Sequence, residues 1–198
     1  YPLRRQRQMC IRDSINATWF NIFNGNIKNN QDLYKFLLGK RKELKYEFYL
    51  PKNKELIKEG IKVIEYSIGR ELKNIDEILE LSIDELYKVA SRVRSFSSAL
   101  SYIYEAYYIS AVTTKYLCEE SFTEEKFLQV AEELFTMEIE HGRIVKYPES
   151  YSIPKMKATL NYLLNLKIIQ KDEQGIICVI NVIKVEEMIE KFARDIND

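Results

Sequence analysis

The chain holds one histidine, His141, and any chemistry that needs an imidazole rests on it. An imidazole takes a proton from a hydroxyl only when a nucleophile lies within hydrogen-bond reach and a further group orients the ring. Glu138 and Glu140 stand just before His141, but no positioned nucleophile precedes it, and Cys118 is the nearest in type. A histidine that closes a helix has a simpler use, because its protonated ring interacts favourably with the negative end of the helix dipole. That is the expectation for His141. The cysteines Cys10, Cys118 and Cys178 are odd in number, widely spaced and without a Cys-x-x-Cys pair. This is the pattern of reduced, buried thiols, not of a disulfide or zinc framework. One histidine among glutamates has no metal-ligand spacing either. The residues therefore name no catalytic, cofactor-binding or metal-ligating position and call for no cofactor.

Two basic groups have a binding chemistry to weigh. Lys40, Arg41, Lys42 and Lys45 fall within one turn and a half of a helix. They read as a solvated helix face, with contact to anionic lipid headgroups as the functional alternative, about 1 kcal/mol for each cation. Lys155, Lys157 and Asn161 lie on a helix just before a hairpin, where helix-turn-helix proteins read DNA. Thirty basic and thirty acidic residues cancel, however, and a neutral chain offers no field to draw a phosphate backbone. No nucleic-acid partner is expected.

The elements that carry these residues are helical. Leu33, Phe36, Leu37, Leu44 and Phe48 share one face of a helix over 31–49 that ends before Pro51. A second helix spans 53–71 with Asn53 as its N-cap, and 74–81 is a connector. Ser82 and Glu85 spell a capping box, and the helix it opens can run to Cys118 along Leu86, Ala90, Val93, Leu100, Tyr104, Tyr107 and Ala111. Ser121 and Glu124 repeat the spelling before Phe127, Leu128, Ala131, Leu134 and Phe135, with Gly142 as the C-cap. Ser152 caps a helix whose face is Met156, Leu160, Leu163 and Leu164. A hairpin over 168–182 turns at Asp172 to Gly175, and a helix over 185–195 closes the chain. The fold class is mainly α: a helical bundle-like domain ending in a small helix–β-hairpin–helix, winged-helix-like unit.

At 198 residues the chain fits one domain, or one domain plus a tail. Residues 1–14, YPLRRQRQMCIRDS, differ in composition from the lysine- and asparagine-rich chain behind them and read as a non-native scar of translated adapter sequence. Residues 15–30 read as a disordered or truncated element, and 31–198 as the helical domain. No signal peptide is visible. The most apolar stretch, 96–114, carries one charge, Glu105, but four serines and four tyrosines make it a buried helix and not a membrane span.

Three features, taken in order, resemble the C-terminal region of glycerol-3-phosphate acyltransferases. They are the Ile-Tyr-Glu-Ala-Tyr helix at Ile103 to Tyr107, the helix holding Phe127 and Leu128, and the Tyr-x-Glu-Ser turn at Tyr147 to Ser150 that leads to Leu-Lys-Ile-Ile at Leu166 to Ile169. Further back, the stretch from Lys42 to Tyr66 is similar in its Glu-Phe helix end before a proline. The resemblance covers roughly residues 35–196 as scattered positions. It implies a parent enzyme, or a related dihydroxyacetone-phosphate acyltransferase, that moves a fatty acyl group to glycerol 3-phosphate and yields lysophosphatidate for phospholipid synthesis. In that family a His-x-x-x-x-Asp motif supplies the base. Five residues after His141 stands Lys146, so the motif is absent here. The resemblance thus implies a non-catalytic fragment, inactive alone. Its partner is a missing N-terminal catalytic domain that binds acyl-CoA and glycerol 3-phosphate, and it works at a membrane surface. The tyrosines from Tyr102 to Tyr116 can line an acyl-chain groove in such an enzyme, but they wrap too much of the helix for one groove and read as core. The alternative function is a stand-alone winged-helix-like binding or scaffold protein.

Overall fold

The computed structural model describes residues 27–45, 50–97, 101–144 and 150–197. Phe48, Tyr147 and the segment 1–26 lie outside them. The chain divides into two compact units, Tyr1–Ala99 and Leu100–Asp198. It is mainly helical, with a two-stranded antiparallel hairpin and a C-terminal helix.

In the first unit, α1 (Asn30–Leu44) starts where the Asn29 Oδ1 accepts the amide of Asp32 at 3.0 Å. Leu33, Leu37 and Leu44 form its buried face. The described helix has Lys45 as its C-cap, and residues 46–49, over which the helix was expected to run on toward Pro51, lie outside the described residues. Helix α2 (Asn53–Ile68) places Asn53 inside the helix, and Lys52 at the cap makes no side-chain bond. It stops at Ile68 and not at Glu71, because Gly69 turns left-handed (φ 78°) and returns its N–H to the Glu65 carbonyl at 2.8 Å. The expected connector is a 3-10 helix, Ile75–Glu80. Asn74 Oδ1 accepts from the amides of Asp76 (2.9 Å) and Glu77 (3.3 Å), and Ile75, Ile78 and Leu81 drop into the core beside Leu33, Leu56 and Ile64. Helix α3 (Ile83–Ser97) opens on the capping box: Ser82 N–H donates to Glu85 Oε2 (3.0 Å) and Glu85 N–H to Ser82 Oγ (3.3 Å).

Of the single helix expected from Ser82 to Cys118, the described parts are α3 and α4 (Ser101–Tyr116), assigned to different units, and residues 98–100 between them lie outside the described residues. In the second unit α4 is the central rod, buried continuously from Ile103 to Ala111 and again at Thr113 and Thr114. Helices α5 (Glu124–Glu140), α6 (Ile153–Asn165) and α7 (Val182–Asn197) pack on it. Tyr107 stands edge-on to Tyr162 (4.8 Å between centroids) and stacks on Phe192 (5.3 Å), while Phe127 stacks on Phe122.

The cap of α5 is Thr123, whose Oγ1 accepts from the Lys126 amide at 3.2 Å, and not Ser121. Ser121 lies too early because Phe122 is engaged elsewhere. Its amide donates to Ile177 O (2.9 Å) and its carbonyl accepts from Ile177 N–H (2.8 Å), an antiparallel bridge to the hairpin. Helix α6 takes Pro154 in its first turn, where no amide is needed, but Ser152 gives it no side-chain cap. Strands β1 (Ile169–Lys171) and β2 (Ile177–Val179) pair antiparallel, Ile169 opposite Val179. Asp172 Oδ1 holds the turn by accepting from the amides of Gln174 (2.9 Å) and Ile176 (2.8 Å). The expected strand from Ile176 to Val182 is shorter because Asn181 caps α7, accepting the Lys184 amide at 3.0 Å. Helix, bridge, two helices, hairpin and helix follow in the order of a winged helix.

Candidate functional site

Polar chemistry in the second unit is turned inward, along α4. Glu105, Ser110, Thr113 and Thr114 are wholly buried in a helix whose other buried residues are apolar or aromatic. Thr113 and Thr114 satisfy themselves by donating to the carbonyls one turn back, Ile109 O (2.8 Å) and Ser110 O (2.7 Å). The other two reach across the unit.

Glu105 accepts a hydrogen bond from Ser150 Oγ, and both side chains lie at zero exposure. Ser150 ends the turn whose first three residues lie outside the described chain. Ser110 Oγ is bonded to Thr159 Oγ1 of α6 and touches Met156 Sδ at 3.6 Å, while Thr159 also donates to Met156 O at 2.8 Å. Buried hydroxyls and carboxylates stand only when hydrogen-bonded, since an unmade bond costs about 1–3 kcal/mol. These pairs therefore select one register of α4 against α6 and against the turn before it. A hydroxyl beside a carboxylate is also the grammar of an activated nucleophile, but neither group of the Ser150–Glu105 pair meets solvent, so the pair acts as a latch.

The third cluster lies at the end of α5. Gly142 adopts a left-handed backbone (φ 67°), and the Arg143 amide returns to Glu138 O at 3.0 Å. That reversal lays the guanidinium on the Glu138 carboxylate in a two-pronged contact, Nε to Oε2 and Nη2 to Oε1, each 2.5 Å. Tyr108 of α4 donates its hydroxyl to the same Oε2 at 2.9 Å. Burial pushes the Glu138 carboxyl up, but the bonds from Arg143 and Tyr108 outweigh it and hold the group below the ordinary carboxylate range. Burial, then the bond to Glu138, pushes the Tyr108 phenol up to about 12. His141 caps α5 and faces solvent, and its Nδ1 lies 2.9 Å from Arg143 Nη2. A guanidinium only donates, so Nδ1 is the acceptor in this contact. Arg143 adds a positive charge beside the helix end that the sequence assigned to His141.

The other expected groups are scattered. Lys40 is buried, its ammonium 3.6 Å from Glu43 and over the Phe36 ring, and Arg41 donates to Pro51 O at 2.8 Å. The basic cluster is thus not one solvated face: its long aliphatic stems cover apolar surface, and Lys42 and Lys45 alone of the four are exposed. Tyr104, Tyr107 and Tyr108 are core residues, whereas Tyr116 is exposed. Lys155 stands over the Tyr102 ring at 4.5 Å, and Lys157 bonds Glu124 at 2.8 Å. Cys118 is half-buried and Cys178 exposed, so these two thiols are not buried as expected, and Cys10 lies outside the described residues. Among the described residues no group of three metal-ligating side chains converges, and no helix is long and apolar enough to cross a membrane.

Of the residues that meet, Glu105 stood out in the sequence as the one charge in an apolar stretch, and Ser150, 45 residues on, as the end of the Tyr-x-Glu-Ser turn, but nothing in the sequence paired them. Fold and site together define a mainly helical protein with a winged-helix-like second unit whose polar groups serve its own packing. No protein-family model, no curated protein and no solved structure matches the chain.

Proposed function

We propose that the chain is the non-catalytic C-terminal helical region of a glycerol-3-phosphate 1-O-acyltransferase. It packs with an N-terminal catalytic domain of the same protein, where acyl-CoA and glycerol 3-phosphate bind, at a membrane surface. The observation that supports this most is the Glu105–Ser150 bond. Two of the separate stretches on which the resemblance rests, the Ile-Tyr-Glu-Ala-Tyr helix and the Tyr-x-Glu-Ser turn, supply the two ends of one buried contact. Scattered positions that share a contact are what a preserved packing unit requires. The absence of a His-x-x-x-x-Asp spacing around the only histidine agrees with a region that does no chemistry.

Two measurements test the reading. The purified chain, given acyl-CoA and glycerol 3-phosphate, forms no lysophosphatidate, and measurable turnover would sink the proposal. The intact reading frame, sequenced upstream, runs through a His-x-x-x-x-Asp motif. A frame without one leaves the stand-alone binding or scaffold protein as the better account. That second reading has its own support in the Phe122–Ile177 bridge, which completes a winged-helix order of elements.

A further inference from the structure

Glu124 sits in the first turn of α5, two residues after the bridge that ties Phe122 to the hairpin. Its carboxylate meets Lys157 Nζ of α6 at 2.8 Å and Lys171 Nζ of β1 at 3.6 Å. These lysines sit on the helix and the strand that a winged-helix-like unit turns toward a nucleic-acid backbone, and both remain substantially solvent-exposed. The other basic side chain of this helix, Lys155, rests over Tyr102. The Asn161 backbone carbonyl accepts from Asn165 Nδ2 at 2.7 Å. One carboxylate thus answers two ammonium groups from two elements, and Glu125 adds a second negative charge near Lys157.

We infer that Glu124 is the residue that closes the α6–hairpin face to polyanions, so that the unit keeps a winged-helix-like shape without nucleic-acid binding. A phosphate approaching Lys157 or Lys171 must displace Glu124 and then face its charge. Without that carboxylate, Lys171 and Lys157 lose their ion-pair partner, with only the nearby charge of Glu125 left beside Lys157, and two cations on adjacent elements can neutralise two phosphates. This inference rests on the contacts of Glu124 and is independent of the acyltransferase reading.

The test is fluorescence anisotropy with a labelled duplex of random sequence, using the full chain and its Glu124→Gln variant. Surface ion pairs contribute little to stability, so the variant folds, which circular dichroism checks. The wild-type chain leaves the duplex free at about 50 mM salt, while Glu124→Gln binds it. With two phosphates neutralised, that gained affinity falls about tenfold between 50 and 200 mM salt. Adding Lys157→Gln and Lys171→Gln to the variant removes the gain. Equal binding by wild type and variant overturns the inference. So does a folded Glu124→Gln protein that gains nothing, or a gain that survives loss of both lysines.

Discussion

Arg70 meets Glu85 at 2.7 Å in the first unit, and Arg143 meets Glu138 at 2.5 Å in the second. The arginines are alike in exposure, but the Glu138 side chain is 6% exposed and that of Glu85 20%. Glu85 shares its carboxylate with the Ser82 cap and with a guanidinium that also reaches Glu77. Glu138 shares its own with a tyrosine of the central helix. One pair decorates a helix start, and the other stitches the central helix to the end of its neighbour. The same contrast runs through the cores. Among the largest side chains wholly out of solvent, Leu33 and Leu44 belong to the first unit, while Tyr107, Phe127, Phe192, Ile109 and Met156 belong to the second. Amphipathic helices that bury one face tolerate change on the other. A helix buried all round has no tolerant face, so its polar groups must all find partners inside.

The largest expected effect follows from that burial. Tyr107→Ala removes a ring held between Tyr162 and Phe192 and costs about 3–5 kcal/mol, read as a lower urea midpoint at unchanged slope. The matched change in the first unit, Tyr87→Ala at an exposed position, stays within about 0.5 kcal/mol. Equal losses would mean that the two units do not differ as described.

A smaller loss, about 1.5–3 kcal/mol, is expected for Ser150→Ala, which takes a hydroxyl donor from the buried Glu105 carboxyl. Ser150→Thr keeps the donor and retains most of the stability if the added methyl fits. An Ala variant as stable as wild type would show that the latch does not hold the turn, and would weaken the acyltransferase reading that leans on it.

How far the sequence disclosed these features depended on distance along the chain. The Ser82–Glu85 box, the glycine closing α5 and the Asp172–Gly175 turn are local, and three or four residues suffice to specify them. Where a local signal and a tertiary contact disagreed, the contact decided. Ser121 with Glu124 spelled a cap, but the bridge from Phe122 to Ile177 held the chain extended until Thr123, which caps the helix instead. Asn74 resembled a connector residue because the 3-10 helix it caps is too short to show a period. Lys40 looked solvated because its type is, and its burial depends on Phe36 and Glu43 together. The pairs Glu105–Ser150, Ser110–Thr159 and Tyr108–Glu138 span 30 to 49 residues, and no spacing rule reaches that far.

The smallest expected effect sharpens the comparison through pH. The hydrogen bond from Arg70, followed by that from the Ser82 amide, holds the Glu85 carboxyl down at about 2. The unfolded chain takes up this proton at about 4.3, so the folded state binds it less readily. The contribution of Glu85 is then present above the unfolded value and is lost as pH falls from there toward 2. Arg70→Gln removes the larger cause and leaves the Ser82 bond, so the Glu85 carboxyl titrates closer to its ordinary value. The acid limb of the stability curve becomes shallower between those two values, with little change near neutrality because an exposed pair is screened by water and salt. Carbon-detected NMR titration of the Glu85 carboxyl reads the shift directly. An unchanged titration in Arg70→Gln would assign the whole effect to the capping box, and the surface pair would then hold nothing that the helix cap does not already hold.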